Sequence, residues 1–143
     1  MTHSRDALWV AAPGGLLRIT PAAGLPVTTV PLAGDAHQVA ADGSQVVWVA
    51  QGDGTLLSVD ASTGAPHGSS VALGAGLTSL TAVGTTGFAA TDDGQVTRFT
   101  RPGAAGQHVA STGTPVEALA ARGRLLVGTA PSTARLYATR VGR

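Results

Sequence analysis

Few side chains in this 143-residue sequence can take part in chemistry beyond neutral hydrogen bonding. There are four histidines, eight carboxylates and nine arginines, with no cysteine and no lysine. The missing thiols exclude disulfides, thiolate zinc sites and cysteine nucleophiles. No spacing of Ser, His and Asp sets out a nucleophile with its base. "QGDG" (51–54) and "TDDG" (91–94) set carboxylates beside glycine, but lack the alternating acids and closing Glu of a calcium loop; turn formation explains them. "PGGLL" and "GAGLTSL" lack the Lys-Ser/Thr ending of a phosphate loop and open no helix. His37, in "GDAHQVA", carries the imidazole with the most distinctive setting.

Such residues need a scaffold, and the composition bounds it. At this length one domain buries roughly 70% of its unfolded surface. Apolar residues make up 43% of the chain, aromatics 3% and charged residues 12%. That charge is about half the usual share and suits a surface partly covered by neighbours. The net charge is +1 and the arginines are scattered, with Arg135, Arg140 and Arg143 the one loose cluster, so nothing resembles a nucleic-acid footprint. The N-terminus lacks the apolar core of a signal peptide, and no apolar run approaches membrane-spanning length. A cytoplasmic or particle-associated protein is expected, without membrane contact.

The scaffold repeats. "LWVAAPGGLLRITPAAG" (8–24), "VVWVAQGDGTLLSVDASTG" (46–64), "GFAATDDGQVTRFTRPG" (87–103) and "LLVGTAPSTARLYATRV" (125–141) echo one another. Trp9, Trp48, Phe88 and Leu126 align at separations of 39, 40 and 38 residues, and Ile19, Val59, Phe99 and Tyr137 at 40, 40 and 38. A third column, Val39, Leu80 and Leu119, lies in Gly-bounded segments ahead of the later three. This phase assigns Trp9 and Trp48 to core packing rather than to exposed binding.

Each unit holds short runs rich in Val, Leu, Thr and Trp, punctuated by turns every 8–12 residues. The Asp-Gly pairs supply the positive φ of tight hairpins. "PVEALAARGRLL" (115–126) has helix formers but falls on the strand column, and repeat phase outweighs propensity there. In the second unit, strands are expected at 38–41, 46–50, 55–60 and near 67–72. Four antiparallel strands per ~40 residues is the arithmetic of a propeller blade.

The pattern G-x-x-x-x-[VL]-A…[VL]-W-V-A-x-x-G-D-G-T-L-x-x-[VI]-D-x-x-T-G, fullest in 34–64, well kept in 74–103 and partial at both ends, resembles the repeats of streptogramin-lyase-like and YVTN-type β-propellers. The resemblance covers nearly the whole chain. It implies an all-β, partial β-propeller of about 3.5 four-stranded blades: a tail at 1–6, then one domain at 7–143 with repeats near 7–33, 34–73, 74–112 and 113–143. On such a wheel, one face around the channel would collect Asp35, His37, Gln38, Gln51, Asp53, Thr78, Ser79, Asp92, Asp93 and Glu117, the expected binding residues. The lyase resemblance implies a channel histidine as base, assisted by a divalent cation; His37 would be that base, with Glu117 or Asp53 beside it. Later repeats carry Thr78 and Val116 or their neighbours instead, so a hydrogen-bonded loop histidine is the simpler reading. His67 and His108 fall on outer strands of neighbouring blades, which diverge, and both are read as solvated; His3 lies in a tail expected to be mobile.

Three, four, four and three strands leave the first sheet without its inner strand and the last without its outer one. An open fan would expose Trp9, Val10 and Leu126. Closure by a second copy is expected first, then a four-bladed monomer, then another protein supplying strands. A non-enzymatic module for protein–protein assembly or recognition, such as a component of a phage virion, tail or injection apparatus, follows without a cofactor. The alternatives are a lyase- or lactonase-like enzyme whose channel is completed by dimerisation, and a carbohydrate-binding ring, although few aromatics are available for stacking on sugars.

Overall fold

Residues of alternating polarity, cut by glycine turns every few positions, form strands too short to bury their apolar faces singly; stacking sheets is the solution. The computed structural model describes residues 1–43, 45–74 and 76–141. Among these lie fifteen strands in four antiparallel sheets. The first sheet comprises β1 (Thr2–His3), β2 (Leu8–Ala12), β3 (Gly15–Ile19) and β4 (Val27–Pro31). The second comprises β5 (Ala36–Ala40), β6 (Val46–Gln51), β7 (Thr55–Asp60) and β8 (Val71–Ala72). The third comprises β9 (Leu77–Val83), β10 (Thr86–Thr91), β11 (Gln95–Phe99) and β12 (Gln107–Ser111). The fourth has three strands, β13 (Ala118–Arg122), β14 (Leu125–Ala130) and β15 (Arg135–Arg140). Each sheet runs in chain order. The segment rich in helix formers, 115–126, carries β13 and the start of β14 rather than a helix, and the helical content of the described residues is one 3-10 turn, Pro131–Thr133.

The first sheet is fuller than its sequence suggests. The expected tail contributes β1, which pairs Thr2 with Trp9 and His3 with Leu8. It is fixed because the Trp9 indole N–H donates to the Ser4 hydroxyl at 3.1 Å, and the Thr2 hydroxyl bonds both the N–H (3.1 Å) and the carbonyl (3.2 Å) of Ala41, the residue that follows β5 of the second sheet. A buried indole needs a hydrogen-bond acceptor, and here the tail supplies it. His3 therefore lies in a strand, not in a mobile tail.

The core is three separate apolar clusters, one at each junction between consecutive sheets. At the first, Trp9, Leu16 and Val30 on the front of sheet one meet Val39, Val47, Val49 and Val59 on the rear of sheet two. At the second, Trp48, Ala50 and Leu56 meet Ala82, Ala89 and Phe99; the Trp48 and Phe99 rings lie 6.0 Å apart. At the third, Phe88, Ala90 and Val96 meet Val116, Leu126 and, at its edge, Leu119 and Tyr137. No such cluster joins the fourth sheet to the first among the described residues.

Strand register corrects the fourth repeat. The hairpin pair Val83↔Thr86 ahead of Phe88 matches Arg122↔Leu125 ahead of Val127. Val127, paired with Ala138, therefore stands where Trp9, Trp48 and Phe88 stand. Leu126, paired with Thr139, matches Val47 and Gly87 and turns back into the third junction, as does Tyr137. A one-residue slip exchanges the two faces of a strand. The Ile19, Val59 and Phe99 column thus continues to Thr139 at a constant 40-residue step, not to Tyr137.

With the register set, Leu16, Leu56, Val96 and Leu136 share one position, opposite the residue two after the core aromatic or its counterpart. Their exposures are 0%, 1%, 3% and 71%. The first three each have another sheet in front; the last does not. At the other end, the rear residues Leu8, Val10, Leu17 and Ile19 are only half-buried, and Val27 is exposed. The unpacked apolar side chains of the fan are these, not Trp9 and Leu126, which are buried in the first and third junctions.

Candidate functional site

The sequence marked the rim where strands enter and leave the inner part of each sheet, and the structure shows what those residues do. His37 and Thr78 are each the extra residue of a β-bulge on the inner strand: Ala36 and Gln38 pair with Gln51 and Ala50, and Leu77 and Ser79 with Thr91 and Ala90. A bulge re-aims its side chain. The Thr78 hydroxyl lies 2.6 Å from the Val116 carbonyl across the third junction and 3.1 Å from that of Ala90. Ser79 accepts the Leu119 N–H at 2.9 Å, and the Gln38 amide donates to the Thr78 carbonyl at 3.2 Å. Segments about 40 residues apart are thereby tied inner strand to inner strand.

The remaining polar candidates are mostly engaged as well. Asp35 accepts the Gly14 N–H at 2.6 Å, linking the first two sheets. The Gln51 amide donates to the Gly34 carbonyl at 3.2 Å and accepts from the Thr55 hydroxyl at 3.1 Å. Asp53 accepts the N–H (3.0 Å) and hydroxyl (2.6 Å) of Thr55, and Asp93 accepts the Thr91 hydroxyl (2.6 Å) and the Gln95 N–H (3.2 Å). Those hydrogen bonds, the hydroxyl foremost, hold both carboxyls below their ordinary range. Glu117 Oε1 lies 3.4 Å from the Ser132 N–H. Of the ten candidates, eight are thus committed to turns or junctions.

His37 and Asp92 differ. Both are exposed, and each packs on a glycine: a Cβ built on Gly52 would lie 2.7 Å from His37 Nε2, and one on Gly76 would lie 2.8 Å from Asp92 Oδ2. His37, Gln38 and Gln51 line a cleft of about 540 Å³ at the second junction, together with Gly52, Gly76 and Leu77. Neither Glu117 nor Asp53 lines it. Among the described residues no three His, Cys, Asp or Glu side chains converge as a metal ion would need.

Two groups outside those ten are engaged in the same way, Asp60 at the corner where its carboxylate is expected to bond the backbone ahead. Asp42, just past β5, accepts the N–H of Gly84 in the β9–β10 turn at 3.0 Å and so links the second and third sheets. Asp60 orders the "DASTG" corner, accepting the N–H groups of Ser62 (2.8 Å) and Thr63 (2.9 Å) and lying 3.3 Å from His67 Nε2. The Ser62 hydroxyl and then the Thr63 N–H hold its carboxyl well below the usual carboxylate range. That corner packs against the previous sheet: Gly64 faces Val30 and Trp9, Arg18 donates to the Ala61 carbonyl at 3.3 Å, and its guanidinium lies 5.9 Å from the Trp9 ring centroid. His67 is therefore paired within its own sheet. His108 is exposed, with Nε2 3.3 Å from the Ser111 hydroxyl.

No family model matches the sequence, and no curated protein matches it. Solved structures do. The computationally designed Ika4 protein aligns with 99% of the chain at 14% identity and a TM-score of 0.80, over 89% of its own length. The designed Ika8 protein aligns with 98% of the chain, also at 14% identity and TM-score 0.80, but over 44% of its own length. The WD40 repeats of RRP9 align with 94% at 12% identity and TM-score 0.68, over 48% of theirs. The chain thus spans less than half the length of the latter two. At such identities the likeness shows the fold: an all-β, partial β-propeller whose blades are the four sheets. No helix of the described residues is long and apolar enough to cross a membrane.

Proposed function

We propose that this chain is a non-enzymatic propeller module for protein–protein assembly or recognition. The observation that carries the reading is Leu136, buried in its three counterparts and open here on the front of the last blade. A large exposed apolar sheet face is characteristic of an interaction surface, and the low charge of the chain supports a role inside a larger particle, such as a phage virion, tail or injection apparatus. The commitment of eight rim residues to turns and junctions supports the non-enzymatic reading. A photoreactive residue in place of Leu136, activated in the source cells, tests it: protein adducts are expected there in excess of those formed from position 37. Equal or lower yield at 136 would contradict it.

The second reading is a streptogramin-lyase-like enzyme, favoured by one observation, the exposed His37 at the 540 Å³ cleft. It predicts turnover of an ester or lactone substrate that His37→Ala abolishes with assembly unchanged. A carbohydrate-binding ring has no comparable support, since both tryptophans are buried.

A further inference from the structure

The geometry points to a second copy of this chain as the occupant of both open faces, the two copies closing head to tail into an eight-bladed ring. This rests on the assembly reading and specifies its partner. Each internal junction joins the front of one blade to the rear of the next, by the same register positions. The two faces left over are one of each kind. The last blade presents a front, with Leu136 and Val127 at the positions of Leu56 and Trp48. The first blade presents a rear, with Val10 and Ile19 at the positions of Val49 and Val59.

A front cannot repeat the internal junction against another front, so the contact is front to rear between copies. Such heterologous contacts form a ring when the rotation closes and a filament when it does not. The rotation is set by the fan. At nearly full coverage this chain superposes on 44% of Ika8 and 48% of the RRP9 repeats, so its blades follow about half of a longer wheel. Two copies of four blades then complete the turn, within the four-to-eight range of propellers.

Sedimentation of the 143-residue chain at tens of micromolar tests this, with Leu136→Arg blocking the front and Val10→Arg blocking the rear. The parent chain is expected to sediment at twice its 14.1 kDa mass. Each variant alone is expected as a monomer, because both junctions of its ring would be blocked. An equimolar mixture of the two is expected to recover a dimer through its one intact front–rear pair, which also shows that both variants are folded. A monomeric parent chain, an open series of larger oligomers, a dimer that survives Leu136→Arg, or a mixture that stays monomeric would each overturn the proposal. A monomeric parent chain would leave the assembly reading standing with a different protein as partner.

Discussion

Leu56 and Leu136 occupy the same register position in their blades, yet one is enclosed by the next sheet and the other faces solvent. The same residue type at the same register position separates the contribution of an adjacent blade from that of the strand itself. Leu56→Ala removes packing from the second junction and is expected to cost about 2–5 kcal/mol of unfolding free energy. Leu136→Ala in dilute solution is expected to change it by about 0.5 kcal/mol or less. Urea unfolding of the two variants checks the contrast; equal losses would mean that Leu136 is packed in the lone chain.

Gly64 is the hinge of the corner that covers Trp9. Its φ is +74°, and a Cβ there would lie 2.7 Å from Val30 Cγ2. Gly64→Ala combines a left-handed backbone with overlap on a buried valine, and is expected to cost about 1–3 kcal/mol. Gly43→Ala, also at positive φ but with open space around its Cβ, is expected to cost about 1–2 kcal/mol from the backbone alone. A thermal melt should rank them in that order, and the reverse order would contradict the packing described for Gly64.

Acid should loosen the hairpins. Hydrogen bonds lower the carboxyls of Asp53, Asp60 and Asp93 in the folded chain. Below the ordinary carboxylate range the unfolded chain therefore binds more protons than the folded one. Stability from these groups is fully present above about pH 5 and is lost as pH falls from about 4 towards their folded values. The urea midpoint should decline across that window and be flat above it. Asp60→Asn should lower the neutral plateau by about 1–2 kcal/mol and make the acid decline shallower; an unchanged profile would contradict the role of Asp60.

The inner-strand ties should matter more than the rim residues that make none. Thr78→Val removes the hydroxyl bonded to Ala90 and Val116 and leaves the carbonyl of buried Val116 without that donor, a loss of about 1–3 kcal/mol by thermal or chemical unfolding. His37→Ala, at the equivalent bulge but exposed, should leave stability within about 0.5 kcal/mol. Comparable losses at both positions would contradict the division of roles along the rim.

The parts of the fold legible in the sequence are those that recur in phase. Trp9, Trp48 and Phe88, the Asp-Gly hairpins and the strand column through 118–122 all fall where the 40-residue step puts them. Thr2–His3 was not legible, because two residues carry no periodicity; the sign of it was a buried tryptophan that required an acceptor nearby. The phase of the last repeat was obscured by adjacent leucines, Leu125 and Leu126, which make both faces look apolar. Gly123, 39 residues after Gly84, breaks that tie, since each closes the turn before the strand. At the rim, residue types alone did not separate ligand-binding groups from fasteners. Asp35, Thr78 and Ser79 find their partners in neighbouring repeats, and that adjacency exists only once the blades are stacked.

The most direct measurement uses the absence of cysteine, which makes a single introduced thiol the sole site of maleimide labelling. In an open fan that pairs with a second copy, the Leu136→Cys thiol labels rapidly at nanomolar concentration and slows as concentration rises, whereas the Leu56→Cys thiol is protected throughout. Protection of the Leu136→Cys thiol at the lowest concentration, or rapid labelling that concentration never slows, would contradict an end face left open for another copy.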